Sequence, residues 1–248
     1  ALAPDKIRKC FYKLSAPADL KRGDLFDAGN IVIGATLEET HENQFQVVAK
    51  LLGDGKKVIV LGGGNDISYP DCKAMAKMYK NYVALNIDSH FDVRQTKERN
   101  SGTPYRLLLE EQLLDPKSFF ELASQPFANS TVYGDYLKKK RVTVLSLKKF
   151  RKRGIEKSLK AILSKKNAPG IFWGIDMDSV RSADAPGVSA SYPTGLTAEE
   201  ILSLAVIAGG DKRTKIMEIS EVNPMFDLDN RTCKLAALII YKFLEGKN

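Results

Sequence analysis

Two aspartates and a histidine stand at alternate positions in Asn86-Ile87-Asp88-Ser89-His90-Phe91-Asp92, and they are the residues of this chain best suited to do chemistry. In an extended strand alternate side chains share a face, so Asp88, His90 and Asp92 aim three donors for a divalent cation at one place. Asp176 and Asp178 repeat the spacing. Carboxylate oxygens with an imidazole nitrogen suit Mn²⁺ and its neighbours, whereas structural zinc would call for thiolates. Four aspartates and a histidine exceed the needs of one ion, and without cations the carboxylates would repel one another strongly. Two metals sharing bridging carboxylates relieve that repulsion, and such a pair lowers the pKa of a bound water, which makes hydrolysis the implied reaction class. Taken singly, each aspartate reads as a helix cap or a solvating loop group. Two alternating motifs, each at the end of a buried run, are hard to obtain from capping alone.

The elements that must position them follow from apolar patterning. Tyr82-Val83-Ala84-Leu85 precedes the first motif and Ile171-Phe172-Trp173-Gly174-Ile175 the second, so two strands should end side by side with acidic tips. Further strands are expected at 31–34, 57–61, 142–147 and 215–220. Helical spacing predicts helices over 4–14, 40–52, 72–79, 107–114, 155–163, 197–207 and from 229 or 230 to 244. Thr197 with Glu200 three residues on is a capping box for the sixth of these. Strands and helices alternate with short connections and several strands are apolar on both faces, which predicts an α/β fold with a mainly parallel sheet covered by helices. Sites in such sheets lie outside the carboxyl ends of the strands, where both acidic motifs fall. His41, at the polar start of its helix among Glu38, Glu39 and Glu42, reads as a surface residue, and Glu218 as a strand-buried structural one. Gly62-Gly63-Gly64-Asn65-Asp66 marks a tight turn, without the Lys-Ser/Thr ending of a phosphate loop.

A chain of 248 residues can bury a substantial core, and a single domain over 1–248 is expected. Its net charge of +8 is concentrated in Lys138-Lys139-Lys140-Arg141 and Lys148-Lys149-Phe150-Arg151-Lys152-Arg153. Without the interleaved aromatics of a stacking surface, these clusters read as solvated faces and no nucleic-acid partner is expected. Cys10, Cys72 and Cys233 lack the paired spacing of a zinc or redox motif. No apolar run reaches the length of a membrane span, no signal peptide opens the chain, and a cytoplasmic location is the expectation.

The motifs together resemble the ureohydrolase family, which includes arginase, agmatinase and formimidoylglutamase. Gly62-Gly63-Gly64-Asn65-Asp66 matches the family's Gly-Gly-Gly-His turn, Asp88-Ser89-His90-Phe91-Asp92 its Asp-Ala-His-x-Asp, and Asp176-Met177-Asp178 its Asp-x-Asp; Glu221-Val222-Asn223-Pro224 follows in family order. The resemblance implies a three-layer α/β/α fold, a binuclear manganese centre and hydrolysis of a C–N bond in a guanidino or formimino group. Carried over by position, Asp88 and Asp176 bridge the ions, Asp92 completes one shell and His90 with Asp178 the other. It also implies a homo-oligomer, trimer or hexamer. Two departures stand out. Asn65 replaces the family's first metal-binding histidine, and a neutral amide oxygen predicts a loosely held first ion. Ser101-Gly102-Thr103-Pro104-Tyr105-Arg106 lacks the further histidine of arginases.

That loop, with Phe91-Asp92-Val93-Arg94, is similar to the formimidoylglutamase branch. The implied reaction is hydrolysis of N-formimino-L-glutamate to L-glutamate and formamide in histidine degradation. Such a substrate carries two carboxylates, and arginine holds a carboxylate in a bidentate pair, so Arg94 and Arg106 are the substrate-binding candidates, with surface ion pairing as their alternative. Asp92 is expected to shuttle a proton to the leaving nitrogen and Glu221 to pair with the substrate's cationic NH₂ group. Another ureohydrolase acting on a guanidino compound, and a non-catalytic relative with weakened metal binding, are the competing expectations. The family pattern also has a strand and a glycine-rich loop before the equivalent of Pro4, and the single domain is expected to lack them, whether trimmed or never present.

Overall fold

Short runs rich in β-branched and aromatic residues become strands here, and six of them make one sheet. The computed structural model describes residues 2–165 and 167–246. Its strands are β1 (Val58–Leu61), β2 (Val83–Ile87), β3 (Phe119–Ser124), β4 (Thr143–Ser146), β5 (Ile171–Asp176) and β6 (Thr214–Ser220). They lie in the order β1-β6-β5-β2-β3-β4, and every pairing is parallel. The helices are α1 (Ala3–Phe11), α2 (Leu37–Gly53), α3 (Ser68–Met78), α4 (Pro104–Glu110), α5 (Thr131–Lys140), α6 (Leu147–Arg153), α7 (Ile155–Lys165), α8 (Ala198–Gly210) and α9 (Arg231–Glu245).

The pleat of β5 shows why the sheet has two covers. Ile171, Trp173 and Ile175 pack into one apolar cluster with Ile201 and Leu204 of α8 and Ile239 and Phe243 of α9. Phe172, pointing the other way, joins Phe45, Leu52, Cys72 and Met75 of α2 and α3. Both β2 and β5 are buried along their whole length, so the central strands have no wet face and the architecture is three-layer α/β/α. Trp173 satisfies its indole N–H on Thr214 Oγ1 at 3.1 Å, which lets the bulkiest ring of the core sit fully enclosed.

Helices α5 and α6 have no counterpart among the expected helices, and three further features differ from the sequence expectations. Residues 31–34 belong to no strand, and Val32 and Ile33 are exposed. Their hydrogen bonds go to α2 instead: Gly34 N–H donates to Thr40 Oγ1 and Asn43 Nδ2 to the Val32 carbonyl, so the run serves as the lead-in to that helix. β3 has no counterpart among the expected strands, although all its residues are buried. Glu121 interrupts its apolar run, and Asn86 Nδ2 on β2 donates to its Oε2 at 3.0 Å, which helps to hold that glutamate inside. His41 is a correction: it is buried rather than on the surface, with Nε2 2.8 Å from Asp66 Oδ2. α2 turns its first residues toward the 62–66 turn, which a helical wheel cannot reveal.

α8 starts on the expected capping box. Glu200 N–H donates to Thr197 Oγ1, and Glu200 Oε2 accepts from the Thr197 N–H at 2.8 Å. The same carboxylate takes two hydrogen bonds from Arg151, at 2.7 and 2.6 Å, and these bonds hold its pKa below the ordinary glutamate range. A folded-state pKa that is depressed stabilises the protein above the unfolded value, about 4.3, and that stability is lost as pH falls through the folded value. Arg151→Ala should therefore lower the urea midpoint at pH 7. Its difference from the parent protein should shrink as pH falls below about 4, measured by circular dichroism.

Candidate metal centre

β2 and β5 are neighbours in register, Ile87 opposite Ile175, so their carboxyl ends deliver both acidic motifs to one spot. The first motif is not a continuation of the strand. β2 stops at Ile87, and Asp92 lies in the left-handed region at φ 47°. Asp88 Oδ1 accepts the His90 N–H at 2.6 Å, and Asp176 Oδ1 accepts the Asp178 N–H at 2.8 Å. Each leading aspartate thus turns its own chain so that the residue two positions on comes round to the same side.

Two groups of donors result. Asp88, His90 and Asp178 offer atoms lying within 4.8 Å of one another, and so do Asp88, Asp92 and Asp176. Asp88 belongs to both. All four aspartates are buried, and His90 is partly so. Burial first, then the neighbouring carboxylates, raises the pKa of Asp92 and Asp176, and pushes Asp178 up to about 7. Burial alone would lower His90, but hydrogen bonds and charges from Asp178 and Asp88 outweigh it and push the imidazole up to about 12. His90 Nδ1 sits 3.0 Å from Asp178 Oδ2 and 3.5 Å from Asp88 Oδ1. Asp178 Oδ1 is buried with no partner. A cluster that holds protons and an orphaned oxygen against its own charge is what divalent cations relieve, and the oxygen-rich donor set fits hard or borderline ions.

Asn65 reaches the centre from the turn after β1. Its Nδ2 donates to Asp92 Oδ2 at 2.7 Å and to Asp88 Oδ2 at 3.2 Å, while Oδ1 is 3.0 Å from both Ser68 Oγ and Ser220 Oγ. Gly64 holds the turn against this wall, because a Cβ there would meet Asp66 Oδ1 at 2.6 Å and Glu221 Oε1 at 3.3 Å. Glu221 follows β6 with φ 62°, its carboxylate accepting the Asn65 N–H at 2.9 Å and the Ser189 hydroxyl at 2.6 Å. With Gly63, Gly64, Ser189 and Asn223 it lines a cavity of 230 Å³.

The two arginines are grouped apart from that cavity. Arg94 and Arg106 line a cleft of 50 Å³ with Lys97, Arg99 and Glu110, and none of the acidic donors lines it. Arg106 carries an ion pair to Glu110 at 2.9 Å and lies over the Tyr136 ring at 4.1 Å. Arg94 packs against the Gly102 backbone. Sequence reasoning passed over Ser68, Ser189, Ser220 and Asn86, which orient the carboxyl and amide groups. A serine or asparagine at a strand end gives no signal until the strand order is known.

A parallel α/β sheet with buried aspartates and a histidine at adjoining strand ends defines the class, a metallohydrolase of the ureohydrolase type. A sequence profile of the arginase family matches residues 1–245, and the chain belongs to that family. Formimidoylglutamase of Bacillus subtilis (strain 168) is 31% identical over 99% of this chain and 81% of its own, and that of Staphylococcus carnosus (strain TM300) is 32% identical over 97% and 78%. The crystal structure of the B. subtilis formimidoylglutamase superposes with a TM-score of 0.92, at 32% identity over 99% of this chain and 80% of that one. Trypanosoma cruzi formiminoglutamase with Mn²⁺ superposes at 0.91, with 32% identity over 98% and 84%. B. subtilis arginase, 22% identical over 100% and 92%, shares the fold at a TM-score of 0.87.

A ligand cluster and a structural cluster respond oppositely to loss of one charge. Asp176→Asn keeps the hydrogen bond to the Asp178 N–H but removes a repelling carboxylate. Thermal scans should show the chelated variant melting higher than the chelated parent, and a smaller rise on adding divalent cation. A lower melting point in both states would mark Asp176 as structural.

Proposed function

We propose that this chain is a manganese-dependent formimidoylglutamase, hydrolysing N-formimino-L-glutamate to L-glutamate and formamide. The observation that carries the proposal is the pair of donor groups sharing Asp88, a charge arrangement suited to two cations side by side. Asp88, Asp176, Asp92 and Asn65 would hold one ion, and Asp88, Asp176, His90 and Asp178 the other. Bound there, manganese supplies Lewis acidity and a water deprotonated near neutral pH.

The protein's own groups do the rest. Water adds to the formimino carbon, the bond from that carbon to the glutamate nitrogen breaks, and that nitrogen must gain a proton. Asp92, a buried carboxyl beside the donor cluster, is assigned to hand it over. Glu221, fixed by the Asn65 N–H and Ser189, is assigned to face the cationic NH₂ end of the formimino group across the 230 Å³ cavity. Its left-handed backbone is strain of the sort that persists where surrounding contacts over-determine a residue. Arg94 is assigned to a substrate carboxylate, since its guanidinium has no hydrogen-bond or ion-pair partner among the described residues. Arg106, engaged by Glu110 and Tyr136, takes a supporting part beside it.

No described helix is long and apolar enough to cross a membrane. A cytoplasmic homo-oligomer, trimer or hexamer, completes the proposal.

The purified protein with added Mn²⁺ should release glutamate and formamide in equal amounts from N-formimino-L-glutamate, and leave arginine and agmatine intact. Ammonia in place of formamide, or activity on arginine alone, would sink the assignment. Arg94→Ala should raise KM by about tenfold or more with a smaller change in kcat, in line with the about 2 kcal/mol of a charge-assisted hydrogen bond.

A further inference from the structure

Behind Asn65 lies a second acidic pair that the proposed chemistry does not use. Asp71 on α3 and Glu218 on β6 are both fully buried. Asp71 Oδ1 accepts from Gln44 Nε2 at 2.8 Å and Glu218 Oε1 from Ser68 Oγ at 2.6 Å, while Asp71 Oδ2 and Glu218 Oε2 have no donor. The two carboxyls stand within hydrogen-bonding reach of each other, so one proton between them satisfies both orphaned oxygens. Cys72 of α3, Asp66 of the 62–66 turn and Tyr105 of α4 face Glu218, and His41 of α2 faces Asp71. Only His41 among these can carry positive charge, so the pair cannot shed both protons cheaply.

Ser68 joins the pair to the metal centre. Its hydroxyl has one proton and two candidate acceptors, Glu218 Oε1 at 2.6 Å and Asn65 Oδ1 at 3.0 Å. It cannot serve both. We propose that Asp71 and Glu218 are a positioning pair which, through the single proton of Ser68, decides whether Asn65 turns its amide nitrogen or its oxygen toward Asp88 and Asp92. The inference rests on the metal assignment above and concerns the ion on the Asn65 side.

With two protons on the pair, one bridges Asp71 and Glu218, and the other is given by Glu218 Oε1 to Ser68. Ser68 then donates to Asn65 Oδ1, and Nδ2 faces Asp92 and Asp88 as a donor that competes with a cation. When the pair releases one proton to solvent, Glu218 Oε1 becomes an acceptor and draws the Ser68 proton. Ser68 is left as an acceptor for Asn65 Nδ2, Ser220 turns its hydroxyl toward Asp176 Oδ2, 3.4 Å away, and the amide rotates to present oxygen to the ion. Burial, the first cause, raises both carboxyls, Asp71 to about 6, so the first proton leaves near that pH and the two-proton pair prevails below it.

The test is calorimetric titration of Mn²⁺ into the chelated protein below that pH, where the pair holds two protons, in two buffers of different ionisation enthalpy so that released protons are counted. Glu218→Gln should mimic the one-proton pair, with its Nε2 donating to Asp71 and its Oε1 accepting from Ser68. The Asn65-side ion should bind about tenfold tighter in this variant, the usual reach of a residue one step behind a ligand, and release one proton fewer. Ser68→Ala alone should also remove that linked proton, and in its background Glu218→Gln should have no further effect on affinity. A structural role would instead give equal effects in both backgrounds, which would overturn the proposal, as would unchanged proton release in either single variant. Binding of the His90-side ion should be the same in every folded variant. Absence of any Mn²⁺ binding would defeat the metal assignment itself.

Discussion

Carboxylates forced together out of water are the constraint around which this molecule is arranged. Asp88, Asp92, Asp176 and Asp178 are buried at the ends of two adjacent strands, where each raises the energy of the others. A stable fold must hold them despite that cost. The chain does so with a sheet covered on both faces, so that the strand ends cannot drift apart, and with N–H groups in the cluster: the His90 imidazole, the Asn65 amide and the backbone N–H of residues 90 and 178. The repulsion is thereby stored where a divalent cation can use it.

The polar groups just behind the centre extend the same logic inward. Asn86 ties Asp88 to Glu121, and Ser68 and Ser220 tie Asn65 to Glu218 and Asp176. Because hydroxyl and amide groups carry fixed numbers of protons, the state of one member limits its neighbours. A buried network of this kind couples the inner acid pair to the outer ligands without any movement of the backbone.

Similarity to enzymes named formimidoylglutamase runs along nearly the whole chain. Asn65 stands where the family motif has histidine. Its carbonyl oxygen is held by two serines while its NH₂ bonds two acids, so the residue serves as both a possible ligand and a hydrogen-bond hub, which histidine at this place could not match.

The order of motifs, the apolar runs before them and the Thr197 capping box are local properties, so the sequence alone determined the α/β class, the parallel character of the sheet and the placing of acidic residues at strand ends. Only the tertiary structure decided which of these side chains lie together, because that depends on β2 lying beside β5 and on the turns at Asp88 and Asp176. It also decided that β3 is a strand despite Glu121, that residues 31–34 are not, and that His41 is inside. In each case the deciding partner, Asn86, Thr40 or Asp66, is supplied by the fold, and periodicity along a chain carries no information about which distant residue will satisfy a buried polar group.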